Sequence, residues 1–474
     1  MFRKFALLST VCLLALSPAS RADELTPVEI KAREIYSEVV SIRSARGHEN
    51  MGEVVNYLVS EFKAAGFTDE DIEITDYDAD GEATQGLMVW LRAEEPTEKP
   101  IVVLAHMDVV DALPEDWVRD PFTLIEEDGY FFGRGTADNK YGLTNLTQTF
   151  IRLKQEGWVP SRDVVLVFSG DEETGMVTTR AQAQYVADHI DPAYVLNADA
   201  GGLTLDEEGV PRNFGIQGAE KTYATFELTV TNPGGHSSAP RADNAIYELA
   251  DALKQIEGYK FPVNSSELTR SYLASAGRKR LDGLGQAMRD FAEDPTDEDA
   301  IEKLRSNPAT VGTIGTTCIA TMLRGGHAEN ALPQSATATV NCRIFPGEGV
   351  ELTEQRLREV VGNENVQFKI IGDVTESPES GIRDDVLAAV TTAIADRGPE
   401  TIEIIPYMSS GGTDGMHYRN LGYDTYGISG KGAKENDTFA HGLNERIPAD
   451  QFYAGLDHWM IILKTLAGPD AGED

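Results

Sequence analysis

The chain has 474 residues, 41% of them hydrophobic, which is ample for a buried core and more than one compact domain usually needs, so two domains are expected. Its formal charge is −37, and so acidic a balance disfavours nucleic acid and anionic membrane surfaces as partners. Most of the carboxylates are expected on a solvated surface, and only those in spaced motifs carry a functional claim.

The chain opens Met-Phe-Arg-Lys, continues in an apolar run from Phe5 to Leu16 and reaches Ser20-Arg21-Ala22. That is the pattern of a secretory signal peptide over residues 1–22, and it predicts an exported protein, periplasmic or secreted. Removing Arg3, Lys4 and Arg21 with the leader takes the formal charge from −37 to −40. The run is too short to span a bilayer, and no later stretch approaches about 20 uninterrupted apolar residues, so no membrane insertion is expected. Cys12 falls in the leader. In an exported protein Cys318 and Cys342 could pair, but two cysteines in so long a chain make no disulfide framework, and buried free thiols are the expectation.

A helical pattern at Val54, Val55, Leu58, Val59 and Phe62, with Gly66 as its stop, is followed by short apolar runs at Gly86 to Leu91, Ile101 to Leu104, Val164 to Phe168 and Tyr194 to Leu196. Continuous apolarity in runs this short predicts strands buried on both faces, and helices between them predict a mostly parallel α/β sheet. After about residue 217 the texture changes. Phe226, Leu228 and Val230 alternate with polar residues, as do Ala336, Ala338 and Val340, which predicts strands with one wet face. Helical patterns at Ala245 to Ile256 and Leu352 to Val361 complete a smaller α+β unit over 217–377, carrying a charged helical insertion at about 262–309. Buried-strand and helix patterns return after Val386 and end in an amphipathic helix around Phe452 to Leu466. The first domain is therefore expected over 23–216 and 378–474, with the second inserted into it.

Chemistry concentrates in short segments after apolar runs or in glycine turns, where α/β sheets place ligand sites. They are His106-Met-Asp108, Gly133-Arg-Gly-Thr-Ala-Asp138-Asn139, Asp171-Glu172-Glu173-Thr-Gly175, Asn197-Ala-Asp199 and Ala440-His441-Gly-Leu-Asn-Glu445. His106 and Asp108 would face one side of a strand, the carboxylate holding one ring N–H while the other nitrogen meets a metal; alone, such a pair is more often structural. Adjacent carboxylates at Glu172-Glu173 repel unless a cation or proton intervenes. Imidazole and carboxylate recurring at strand ends suit zinc, and a dinuclear site needs a bridging group. No Gly-x-Ser-x-Gly elbow supports serine chemistry.

The whole set, in order along the mature chain, resembles the metallohydrolases that include glutamate carboxypeptidase, acetylornithine deacetylase, succinyl-diaminopimelate desuccinylase, aminoacylase and carboxypeptidase S. The resemblance implies a catalytic domain with an inserted lid, and two Zn2+ per subunit, with Co2+ or Mn2+ as possible substitutes. It implies His106 and Asp199 as ligands of one zinc, Glu173 and His441 of the other, and Asp138 as the bridge, with a cis peptide between Asp138 and Asn139. By the same likeness Asp108 orients the histidine ligand and Glu172 is the general base. The lid motif Asn232-Pro-Gly-Gly-His236 supplies a histidine that polarises the scissile carbonyl. Asn330 and Arg343 resemble the pair that holds a substrate carboxylate, and Thr413 lies in a glycine turn beside the substrate. Gly415-Met-His417-Tyr418 departs from the familiar pattern, which leaves a role for His417 open. The implied function is hydrolysis of an amide bond next to a free carboxylate, in a small peptide or an N-acyl amino acid, by a homodimer pairing through its lids. A dipeptidase or aminopeptidase of the same family is the alternative, and a non-catalytic metal- or peptide-binding protein on this fold would have no use for Glu172.

Overall fold

The computed structural model describes residues 25–398, 401–435 and 437–469. The predicted leader, residues 1–22 with Cys12, lies outside them. Among the described residues no helix is long and apolar enough to cross a membrane.

The apolar runs become the strands Glu82–Leu91, Ile101–His106, Val164–Ser169 and Tyr194–Asn197, and in Ile101–His106 and Val164–Ser169 every position is buried. Burial on both faces requires cover on both. Pro27–Ser41, Met51–Ala64, Lys140–Gln155, Asp384–Ile394 and His458–Ala467 share one core with the sheet, while Val177–His189 and Tyr418 close the other face. Among the described residues the sheet has ten strands. Its order is Ile72–Ala79, Glu82–Leu91, Val164–Ser169, Ile101–His106, Tyr194–Asn197, Thr425–Gly427, Pro211–Glu220, Gly202–Leu205 and Gly432–Lys434, with Glu403–Ser409 paired to Pro211–Glu220. Val164–Ser169, Ile101–His106, Tyr194–Asn197 and Thr425–Gly427 run parallel, so their carboxyl ends lie together.

The smaller sheet is antiparallel throughout, in the order Thr317–Gly325, Ser335–Ile344, Thr222–Thr231, Gln367–Ile371. Burial alternates along Thr222–Thr231 and Ser335–Ile344, and the buried half, with Phe226, Leu228 and Val340, faces the helices Ala245–Gly258 and Val350–Val361. The fold is thus a mainly parallel α/β sheet flanked by helices, carrying an inserted α+β lid.

Two details differ from expectation, and a third concerns where the insertion sits. Cys318 and Cys342 are joined in a disulfide, not free thiols: the register of Thr317–Gly325 on Ser335–Ile344 sets them opposite each other with Cα atoms 4.1 Å apart. The insertion folds as three helices, Glu267–Arg278, Gly283–Glu293 and Glu298–Arg305, around Leu273, Met288, Phe291 and Leu304. It docks on the large sheet: Ser275 and Arg278 donate to Glu403, and Lys279 to Asn213. The single C-terminal helix is instead two, Ala449–Ala454 and His458–Ala467, separated at Gly455, a residue that weakens a helix interior.

Candidate metal centre

The parallel strand ends deliver most of the site. His106 is the last residue of its strand, and Glu172 and Glu173 follow Ser169 on the neighbouring strand. On the other side, Asp199 follows Asn197, whose side-chain oxygen accepts the Asp199 amide at 2.9 Å. Asp138 comes from the glycine turn before Lys140–Gln155, and the Asp138–Asn139 peptide is cis. His441 arrives from the loop before Arg446–Pro448, where Phe439, His441 and Asn444 all take left-handed φ between 54° and 61°. Such a backbone persists in non-glycine residues only where its surroundings hold it.

These side chains converge as two histidines around one carboxylate. Asp138 turns Oδ1 to His106 Nε2 at 3.0 Å and Oδ2 to His441 Nε2 at 3.2 Å. Asp199 Oδ1 lies 3.6 Å from His106 Nε2, and Glu173 Oε1 lies 2.9 Å from His441 Nε2. Donor atoms of His106, Asp138 and Glu173 all fall within 4.8 Å of one another. His106 Nδ1 is 3.0 Å from the backbone carbonyl of Asp108, nearer than the Asp108 carboxylate at 3.4 Å. A carbonyl can only accept, so Nδ1 carries a proton, and Nε2 is the ring nitrogen turned to the carboxylates. The Asp108 carboxylate instead accepts the amides of Glu172 and Glu173, each at 3.0 Å, and so holds the pair of glutamates beside His106.

Negative charge exceeds what the protein's own cations offset. Burial, then Asp199, Asp414 and Glu173, push the Glu172 carboxyl well up from the usual range. Burial, then Asp138, raise Asp199, and burial raises Asp414 to about 7. Hydrogen bonding to Asp138 and Glu173 lifts His441 to about 10, and burial opposes but does not cancel the rise that Asp199, Asp108 and Asp138 cause at His106. Nitrogen and oxygen donors, no thiolate, and an excess of buried carboxylate are the chemistry that fits a pair of divalent cations such as zinc, cobalt or manganese.

The remaining candidates lie apart from this cluster. His236 is exposed in the short strand Gly235–His236, and its Nδ1 accepts from the Ser238 amide and faces the Ser238 hydroxyl at 2.8 Å. That strand pairs with Ala331–Leu332, and the Asn330 carbonyl accepts the Ser237 amide, so His236 and Asn330 stand on one edge of the lid. Arg343, across from Tyr223 in the lid sheet, lies over that ring at 4.7 Å and donates to the Ser410 carbonyl at 2.8 Å. Thr413 is buried and its hydroxyl is engaged, donating to Glu220 and accepting from Asn197 and the Gly415 amide. His417 is buried in Gly415–Asn420, and burial pushes its imidazole down to about 4, outside the metal cluster.

Motif reading gave no role to Glu445, which is fully buried. It accepts the amides of Ala137 and Asp138 on Oε1 and that of Gly135 on Oε2, where Arg134 also donates at 2.7 Å. One carboxylate thereby holds the whole Asp138 turn. Its signal in the sequence was faint: an acid four residues beyond His441. Asp414, bonded to Ser169 and Thr179, and the pair Glu220–Arg419 beneath Thr413 were likewise unassigned.

Comparison with known proteins places the chain in a class. The profile of Peptidase family M20/M25/M40 matches residues 102–465, and the chain belongs to that family. It is a hydrolytic metalloenzyme. N-fatty-acyl-amino acid synthase/hydrolase PM20D1 from Homo sapiens is 28% identical over 373 residues, covering 76% of this chain and 73% of that protein. Probable carboxypeptidase S-like 2 from Dictyostelium discoideum is 26% identical, over 77% and 72% of the two chains. The fold is also that of the M20 metallo-carboxypeptidase Sso-CP2 from Sulfolobus solfataricus, with a TM-score of 0.68 at 20% identity, covering 92% of this chain and 99% of that one.

Proposed function

We propose that the chain is an exported di-zinc hydrolase of N-acyl amino acids and small peptides, cutting the amide bond next to a free carboxylate. The observation that carries this reading is Glu172: a buried carboxylate beside the histidine and carboxylate cluster, held by Asp108 through its own amide and absent from every histidine–carboxylate contact of the cluster. His106 and Asp199 would hold one cation, His441 and Glu173 the other, and Asp138 both. Bound there, they supply Lewis-acid polarisation of the carbonyl and acidification of water. Glu172 then takes the proton from the attacking water and returns it to the leaving amine nitrogen, a role its raised affinity for a proton suits. His236 donates to the carbonyl oxygen as it gains charge. Arg343 and Asn330 hold the carboxylate, which makes the enzyme exo-acting.

The name of the human relative favours N-acyl amino acids, and that of the Dictyostelium relative favours peptides. Pairing of two copies through the lid has support in its edge strand Thr317–Gly325, which leaves Ile319, Met322 and Leu323 between 52% and 67% exposed. The leader supports export. A panel of N-acyl amino acids, free dipeptides and C-terminally amidated dipeptides, with and without chelator, tests the reading. Hydrolysis confined to substrates with a free carboxylate, lost on chelation and restored by zinc, is expected. Chelator-resistant activity, or equal rates on amidated substrates, would refute it.

A further inference from the structure

We infer that the helical insertion builds, with the edge of the large sheet, a pocket for an unbranched aliphatic acyl chain beside the metal centre. This rests on the amide-hydrolase reading above and names the part of the substrate that the reading leaves open. A cavity of about 300 Å3 begins at Gly201, two residues beyond Asp199, and lies within the size range of ligand sites. Leu203, Ile405, Ala433, Tyr272 and Tyr407 line it together with Lys431. Tyr272 belongs to Glu267–Arg278, the helix that Ser275, Arg278 and Lys279 fasten to the sheet. Without the insertion this side of the cavity would open to solvent.

The pocket borders the site through two groups. Lys431 donates at 3.0 Å to the carbonyl of Ala137, the residue before Asp138, and the Tyr407 hydroxyl accepts the Gly201 amide at 3.1 Å. Apart from the Tyr272 hydroxyl, the polar side chains on the wall are engaged: Asn213 bonds Thr204 and Lys279, Tyr407 bonds Gly201, Lys431 bonds Ala137. An occupant therefore gains by burying apolar surface rather than by new hydrogen bonds. The floor is made of Gly201, Gly202 and Gly215, and a Cβ at Gly215 would press on the Tyr407 ring, so the space suits a narrow chain. With the substrate carboxylate directed to Arg343, the acyl side of the scissile bond is the part left to enter it.

The test measures kcat/KM for acetyl-, octanoyl- and dodecanoyl-glycine in the wild type and in Ala433→Phe, which fills the cavity, together with calorimetric binding of decanoate to both. Specificity should rise with chain length, by up to roughly fourfold per buried methylene, until the pocket is full. In Ala433→Phe the dodecanoyl-to-acetyl ratio and the affinity for decanoate should each fall about tenfold or more. Should that variant misfold, Tyr272→Ala serves instead, and should lower the same ratio by opening the wall. A flat chain-length profile, or a ratio and decanoate affinity that the variants leave unchanged, overturns the pocket. If no acyl-glycine is cleaved, the functional reading falls, and decanoate binding still decides the inference.

Discussion

The end of the large sheet and the edge of the lid hold the two halves of the proposed machinery in opposite ways. At the sheet end, His106, Glu172 and Glu445 are nearly or fully buried: the Asp108 carbonyl holds the His106 ring, the Asp108 carboxylate holds the Glu172 amide, and the Ala137 and Asp138 amides set the direction of the Glu445 carboxylate. On the lid, His236 and Asn330 are exposed, and they are tied mainly to their own strand pair. A preorganised cluster suits groups that must meet cations, because rigid donors lose little on binding. An exposed edge suits groups that meet substrate only when the lid comes over it.

If the sheet end holds the chemistry, Glu172→Gln should lower kcat by about 10²–10⁴-fold while metal content by mass spectrometry stays at the wild-type value. Normal turnover would remove Glu172 from the proton path. Breaking the rigidity rather than the chemistry is the next step. Glu445→Ala leaves the buried Arg134 unpaired and frees the Asp138 turn, and should cost about 3–5 kcal/mol in denaturant unfolding along with reduced metal retention. Unchanged stability would mean that the turn does not depend on this clamp.

On the lid side, Arg343→Ala should weaken kcat/KM for substrates with a free carboxylate by about 2–4 kcal/mol and leave their amides nearly unaffected. Equal losses on both would reassign Arg343 to its contacts with Tyr223 and Ser410. Replacing Cys318 and Cys342 by serine should destabilise the lid by about 3 kcal/mol, with the metal centre still loaded. Loss of metal in that variant would show the two regions to be one cooperative unit.

The effect that is smallest at neutral pH sits behind the sheet end. His458 is buried neutral against Phe214, and burial pushes it down to about 3. A depressed histidine contributes stability that is complete above about pH 6.5 and is lost as pH falls toward the folded value, because the unfolded chain takes the proton first. His458→Asn should therefore flatten the pH dependence of unfolding between these limits by about 1.4 kcal/mol per pH unit. An unaltered slope would show His458 to be protonated in the fold.

Local pattern carried much of this architecture. The runs at Ile101, Val164 and Tyr194 are strands and the alternation at Phe226 to Val230 is a half-wet strand, while His106, Asp138, Glu173, Asp199 and His441 were picked out as donors through the family resemblance of their motifs. Periodicity and residue type are properties of neighbouring residues, and the chain states them outright. Only tertiary structure decided which atoms meet. It set Cys318 opposite Cys342, seated the insertion on the large sheet, brought Glu445 under the Asp138 turn and gave the Asp108 carboxylate to two amides, with the Asp108 carbonyl nearer the imidazole. Each of these depends on register or docking between segments far apart in sequence, where a shift of one residue exchanges the partners while leaving every local pattern intact.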